Sequence, residues 1–421
     1  MSAQAASTAL LALLVFGVNF TLWAIVGGLR AIDDHRRRHT QPLPERRVCR
    51  RDLAVVIAAH NEEPVLAGSI GSVTPLLGRE RVYVVSDAST DRTVEVARSA
   101  GVSVLALRRN RGKAGALRQA IQRFDLLDRY RAVMFLDADS AADVRYFDEA
   151  LLLLAEPDVA AVAGYVRVVW EPEQLPLAGR LILAHRNRLY TLTQLLQKYG
   201  QTWRHASVCY IVPGFASIYR AEALERIDID PRGLVIEDFN MTFEVHRKHL
   251  GRIALSPHAV AYSQDPHTLR DYVSQVRRWN LGFWQTVRRH GIWFGWFWVT
   301  MGLFIVELLT SSVLLLVVPW IALVLALPGL TADAVLQWPW FAQTHDAVSG
   351  VFSWSSLLFG VVLPDYAMTC IVAIGQRRPL MLVLGLASLP FRMLDAGIGL
   401  MAMPKAWFTT SNGQWKSPTR R

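Results

Sequence analysis

No charged side chain precedes Arg30, so Ala9 to Leu29 form 21 uncharged residues in succession. At roughly 1.5 Å per helical residue such a run spans the ~30 Å apolar core of a bilayer. A cleaved signal peptide is the competing reading. The run has no basic residues ahead of it, exceeds the length of a signal core and shows no convincing cleavage site. The expectation is therefore a retained transmembrane helix over residues 1–30. Behind it the chain turns basic: Arg30, Arg36, Arg37, Arg38, Arg46, Arg47, Arg50 and Arg51 stand against Asp33, Asp34 and Glu45. By the positive-inside rule this flank, and whatever follows it, lies in the cytoplasm.

The apolar character returns at the other end. From Trp293 to Leu330 only Glu307 is charged, and a span is expected at about Thr300–Leu327. The loop Thr331–Ala347 carries Asp333 and Asp346 but no Lys or Arg, as an outer loop would. Further spans are expected at Val351–Ile374 and Leu380–Met403, separated by Arg377 and Arg378 on a short cytoplasmic turn. Four charges fall within these runs: Glu307, Asp365, Arg392 and Asp395. Each costs roughly 2.5–3.5 kcal/mol at mid-membrane depth, so they are expected to pair with one another or to line a polar conduit.

Between the two apolar ends, Asp52 to about Pro266 reads as an α/β domain. β-branched runs at Leu53–Ala58, Val82–Ser86, Val102–Leu107, Val133–Leu136 and Val159–Val169 alternate with helical stretches such as Thr90–Ala100 and Gly115–Leu127. That alternation predicts a mostly parallel sheet covered on both faces, with ligands bound where strands give way to loops. Thr268–Gly291 differs: Leu269, Tyr272, Val273, Val276, Trp279, Phe283 and Val287 recur at steps of three and four among arginines. A basic amphipathic helix next to apolar spans is expected to lie at the membrane interface. The organisation is thus 1–30, 31–266, 267–292 and 293–421, the last with about three spans and a short basic tail. The net charge of +10 suits lipid headgroups or phosphates, and no motif supports nucleic acid. Three cysteines without pairing or metal-ligand spacing read as free thiols.

Polar motifs cluster at the expected strand ends. Leu53–Ala58 runs into Ala59-His60-Asn61-Glu62-Glu63, and Val82–Ser86 into Asp87-Ala88-Ser89-Thr90-Asp91. Such carboxylates can accept hydrogen bonds from a nucleobase or ribose, although Asp87–Asp91 equally reads as a turn and helix cap. Asn110-Arg111-Gly112-Lys113-Ala114-Gly115 brings backbone and a cation towards phosphate, without matching a Walker loop or a dinucleotide fingerprint. Asp137-Ala138-Asp139 closes a buried strand, and spacing of two on an extended chain would send both carboxylates to one side. Hard oxygens there suit Mg²⁺ or Mn²⁺. Glu237-Asp238 opens an amphipathic stretch, as helix caps or as a base for a hydroxyl. Gln275, Arg278 and Trp279 share one helix face, where arginine can grip phosphate and indole can stack on a sugar. Trp279 could equally be a lipid anchor.

These segments in this order resemble the membrane-embedded glycosyltransferases of family 2, among them the synthases of hyaluronan, chitin, cellulose and poly-N-acetylglucosamine. The resemblance implies a GT-A-type, Rossmann-like nucleotide-sugar domain joined to an α-helical transmembrane bundle in a bacterial-type cell membrane. It implies that His60, Glu62, Asp87, Lys113 and Asp137 bind the nucleotide of a UDP-sugar donor, and that Asp139 holds the metal. Asp238, beside Glu237, would be the general base of an inverting transfer. Gln275, Arg278 and Trp279 would bind diphosphate and acceptor, and Val212–Arg220, with Gly214, would line the acceptor site. Two departures, Ile236 before Glu237-Asp238 and no cysteine in the acceptor segment, favour an amino-sugar polymer over cellulose. No segment resembling a regulatory cyclic-dinucleotide domain follows the last expected span. The expectation is a processive exopolysaccharide synthase that exports its chain through its own bundle. Single transfer to a polyprenyl phosphate or other lipid, and a non-enzymatic transport or assembly subunit, are the alternatives.

Overall fold

The computed structural model describes residues 3–40 and 48–411. Glu45, Arg46 and Arg47 of the basic flank, and the tail beyond Ser411, lie outside the described residues. The central sheet has eight strands: β1 (Leu53–Ala59), β2 (Val82–Asp87), β3 (Ser103–Leu107), β4 (Ala132–Asp137), β5 (Ser140–Ala142), β6 (Val159–Val168), β7 (Ala216–Arg220) and β8 (Arg252–Ser263). They run in the order β3-β2-β1-β4-β7-β6-β8-β5. β1 is apolar and buried throughout because both faces of the sheet are covered. Leu53, Val55, Ile57 and Ala59 pack into the core on one side, and Ala54, Val56 and Ala58 into the core on the other. The five strands expected from the sequence all form, and β3, β2, β1 and β4 run parallel. β7 then enters antiparallel between β4 and β6, so the sheet is mixed but mostly parallel. Its topology gathers the C-terminal ends of β1, β2 and β4, and the polar motifs ride on those ends.

Three described helices are long and apolar enough to cross a membrane: Trp296–Leu330, Trp354–Gly375 and Leu380–Phe408. The first apolar run, expected as one transmembrane helix over residues 1–30, is bent. It forms two helices, Ala3–Phe16 and Val18–Thr40, bent by 61°. The break falls at Gly17, whose φ of +88° is open to a residue without a Cβ. The carboxylate of Glu307 accepts the backbone amide of Asn19 there, a helix start met by a negative charge.

The four charges expected to pair do so only in part. Asp365 binds Arg392 at 2.6 Å, as anticipated, but its principal partner is Arg188, at 2.6 and 2.8 Å. Asp395 instead accepts from Tyr272 and faces His185, and Glu307 serves the helix break. Arg188 and His185 belong to the helix Leu177–Leu192, where His185, Arg186, Asn187 and Arg188 are all buried. That run joins the sheet domain to the apolar helices: Asn187 pairs with Gln376 and Arg378, and Arg188 with Asp365. The amphipathic helix forms over Leu269–His290, capped by the Thr268 side chain. Its Tyr272 and Val276 are buried and it packs along Ser388–Phe408, whereas Leu269 is exposed.

Removing Asp365 leaves two arginines uncompensated, and breaking a buried ion pair costs about 3–5 kcal/mol. Asp365→Ala is therefore expected to lower the thermal unfolding temperature of detergent-solubilised protein markedly, whereas Asp365→Glu, which keeps the charge, retains most of it.

Candidate active site

The first three strand ends are tied together before any ligand is considered. His60 Nδ1 lies 2.6 Å from the carbonyl oxygen of Asp87, at the end of β2. Both carboxylate oxygens of Asp87 accept backbone amides, from Arg111 and Gly112, at 2.8 Å each. Gly112 adopts φ +76° to present that amide. Burial holds the Asp87 carboxyl above the usual range, and the two amides offset this only in part. Glu62 is fully buried, with its amide donating to Thr93 Oγ1 at 2.9 Å. His60, Glu62 and Asp87 thus sit together as expected, and Asp87 also fixes the loop that carries Lys113.

Lys113 is the centre of the site. Its Nζ lies 2.6 Å from Asp137 Oδ1 and 3.1 Å from Glu237 Oε1, and donates to the carbonyl of Gly214 at 2.9 Å. The end of β4, the loop before β7 and the start of the helix Glu237–Arg247 therefore meet on one ammonium. Burial works against that charge, but Asp137, Glu237 and Asp238 outweigh it and hold the ammonium well above its ordinary value. Asp238 accepts the amides of Phe239 at 2.7 Å and Gly214 at 3.3 Å. A Cβ on Gly214 would come within 3.1 Å of both Glu237 Oε1 and Lys113 Nζ, which marks how tightly this segment is threaded. Burial, then the charge of Glu237, push the Asp238 carboxyl up to about 7, against the pull of Lys113.

Asp139 departs from the expected geometry. β4 ends at Asp137, and Ala138 and Asp139 form a turn, so the two carboxylates are not successive residues of one strand face. The chain turns there because β5 begins at Ser140 and must run antiparallel to β8. Asp137 goes to Lys113, while Asp139 lies near Asp265, whose proton affinity it raises. Burial first, with Asp139 adding, lifts the Asp265 carboxyl to about 6 despite Arg186 and a hydrogen bond from Tyr190.

Of the second motif, Gln275 accepts from Arg186 Nη2 at 2.7 Å, and the Trp279 ring lies 4.5 Å from the Arg186 guanidinium carbon. Arg278 is exposed. Sequence reasoning missed Arg186, Tyr190 and Asp265. Their signal was present in the polar run His185–Arg188 inside an otherwise apolar stretch, and in the acidic residue just after the unanticipated strand β8.

Comparison with known proteins follows the same outline. The model of the family described as "Glycosyltransferase like family 2" matches residues 50–282. The chain belongs to that family. This glycosyltransferase is 22% identical, over 87% of each chain, to the poly-beta-1,6-N-acetyl-D-glucosamine synthase of Staphylococcus epidermidis. It is 27% identical to the uncharacterized glycosyltransferase YaiP of Escherichia coli, covering 56% of this chain and 58% of that one. Among solved structures it resembles the mannosyltransferase PcManGT of Pyrobaculum calidifontis, solved with GDP-Man and Mn²⁺. There the TM-score is 0.50 at 17% identity, over 90% of this chain and 99% of that one, a likeness of fold. The GT-A, Rossmann-like architecture of this hexosyltransferase is thereby shown.

The raised Asp238 carboxyl fixes a sign for stability. Between its ordinary value of 3.8 and about 7, the folded chain holds a proton that the unfolded chain has released. The stabilisation from this group is thus full below 3.8 and lost as pH rises through about 7. Asp238→Asn is expected to flatten the fall in unfolding temperature across that interval, measured by thermal scans from acid to neutral pH.

Proposed function

We propose that this glycosyltransferase polymerises an amino sugar, most directly N-acetylglucosamine from its UDP donor, into a β-linked polysaccharide. The observation that carries the reading is the Lys113 cluster, in which a donor-side carboxylate (Asp137), the Glu237-Asp238 helix start and the Gly214 segment share one cation. The similarity to a poly-N-acetylglucosamine synthase over nearly the whole chain supports a polysaccharide synthase, and the amino-sugar donor follows that relative.

In this reading His60, Glu62 and Asp87 hold the nucleoside at the ends of β1 and β2, with Lys113 and Asp137 beside the diphosphate. The metal fits the residues present. Asp139 is near enough to Asp265 to raise its carboxyl, and one Asp265 oxygen is buried without a hydrogen-bond partner among the described residues, while Arg186 stands 3.9 Å from the other. Hard carboxylate oxygens of this kind suit Mg²⁺ or Mn²⁺. Asp139 would hold the ion, which when bound supplies positive charge to the departing diphosphate. Asp238 takes the proton from an acceptor hydroxyl, whose oxygen attacks the anomeric carbon as the bond to the UDP oxygen breaks. One displacement turns an α-linked donor into a β-linkage. A carboxyl poised near neutrality is matched to that task. In this reading Arg278 binds the diphosphate and Trp279 stacks on the acceptor sugar. In the same reading the apolar helices lie in a membrane with the sheet domain on the cytoplasmic side, and the growing chain passes into the bundle beside the Leu269–His290 helix.

The test is UDP release by purified protein with Mn²⁺ or Mg²⁺ across a panel of UDP-sugars, with products sized on a gel. The expected result is turnover of UDP-N-acetylglucosamine to long products, abolished by EDTA and restored by the ion. Asp238→Asn should reduce it by about 10²–10⁴-fold, the usual worth of a general base. Single-sugar lipid products would favour the lipid acceptor, and no turnover by folded protein would overturn the enzymatic role proposed for these residues. A separate expectation concerns pH: kcat/KM should rise with an apparent pKa near 7 as Asp238 ionises. Lys113→Gln, which removes the cation favouring ionisation, should move that limb to higher pH.

A further inference from the structure

Arg186 is an arginine whose burial has no ordinary explanation. Its side chain is 1% exposed, and taking a guanidinium out of water costs several kcal/mol unless its partners compensate. Two residues along the same helix, Arg188 shows the usual solution, two bonds to Asp365 at 2.6 and 2.8 Å. Arg186 does not adopt it. Its nearest carboxylate, Asp265, stands 3.9 Å from Nε, and that Nε has no hydrogen-bond partner among the described residues.

What Arg186 touches instead is the acceptor side of the motif helix. Nη2 donates to Gln275 Oε1 at 2.7 Å. The guanidinium carbon lies 4.5 Å from the centre of the Trp279 ring and 4.6 Å from that of Tyr272. A planar cation can stack on an indole and donate from its edge at the same time, which an ammonium cannot. The neighbouring residue extends the contact: His185 Nε2 faces Asp395 at 3.2 Å, and Asp395 also accepts from Tyr272 at 2.7 Å. Helix Leu177–Leu192 thus clamps Gln275, Trp279 and Tyr272 with one residue, and the C-terminal apolar helix with the residue before it.

We propose that Arg186 is the positioning residue of the acceptor site, fixing the Trp279 ring and the Gln275 carboxamide where a sugar end is presented to Asp238. The assignment rests on the acceptor role given above to Gln275 and Trp279. Asp395, reached through His185 and Tyr272, makes the seating of the C-terminal helix part of the same arrangement. Arg186 touches no reacting atom and acts through Trp279 and Gln275.

The experiment compares wild type, Arg186→Lys and Arg186→Met as full chains in detergent with Mn²⁺. UDP release is followed against UDP-N-acetylglucosamine and, separately, against a short β-linked N-acetylglucosamine oligosaccharide, with unfolding temperatures recorded alongside. The expected result is a split: in Arg186→Lys the acceptor KM rises about tenfold more than the donor KM. The lysine keeps the buried charge and the fold but lacks the planar fork, so charge alone should not rescue. Arg186→Met should show the same split if it folds; if it does not, Arg186→Lys decides. Donor and acceptor KM moving together, or a lysine variant matching wild type, would overturn the assignment while leaving the proposed function standing. A wild-type chain that turns over no donor would overturn the proposed function and this assignment with it.

Discussion

Asp137, Glu237 and Asp238 come from distant parts of the chain and share one corner because Lys113 stands among them. Without a cation, negative charges packed so closely inside a protein would repel or take up protons. With it, Asp137 and Glu237 are drawn in at 2.6 and 3.1 Å, while Asp238 is left with only two amides and a carboxyl near neutrality. The same cation therefore both assembles the corner and divides the labour within it. The rest of the sheet domain can be understood as the apparatus that brings Lys113 there. Asp87 pins its loop through two amides, and β7 carries Gly214 back across β4 to accept from its ammonium.

A second constraint joins this corner to the apolar helices. A polar run buried in a helix is expensive, and here each member is answered from the apolar helices and their ends or from the motif helix. Arg188 reaches Asp365, Asn187 reaches Gln376, and His185 reaches Asp395. Sheet domain and apolar helices are consequently held in one register by these side chains.

Much of this was legible beforehand because it is local. Apolar runs of strand length, closed by Asp87 and Asp137, predicted the parallel half of the sheet, and the motif order carried the family resemblance. What escaped was non-local. β7 and β8 are read only once their neighbours are known, since Ala216–Arg220 is short and Arg252–Ser263 begins and ends in polar residues. The turn after Asp137 depends on β5 pairing with β8, so an extended Asp-Ala-Asp could not be told from a bent one. The burial of Arg186 and Arg188 depends on helices that come from far along the chain. Of the four charges expected to pair within the bundle, only Asp365 and Arg392 met each other, because the others found partners outside it or at a helix break.

The central claim is a single displacement in which Asp238 is the only carboxylate acting on the acceptor. It is tested most directly by the anomeric configuration of the newly formed linkage, read by proton NMR on product made from an α-linked UDP-sugar. The account predicts a β-linkage alone, from the first transfer onward. An α-linked product would require a second displacement or another geometry of attack, and would contradict it.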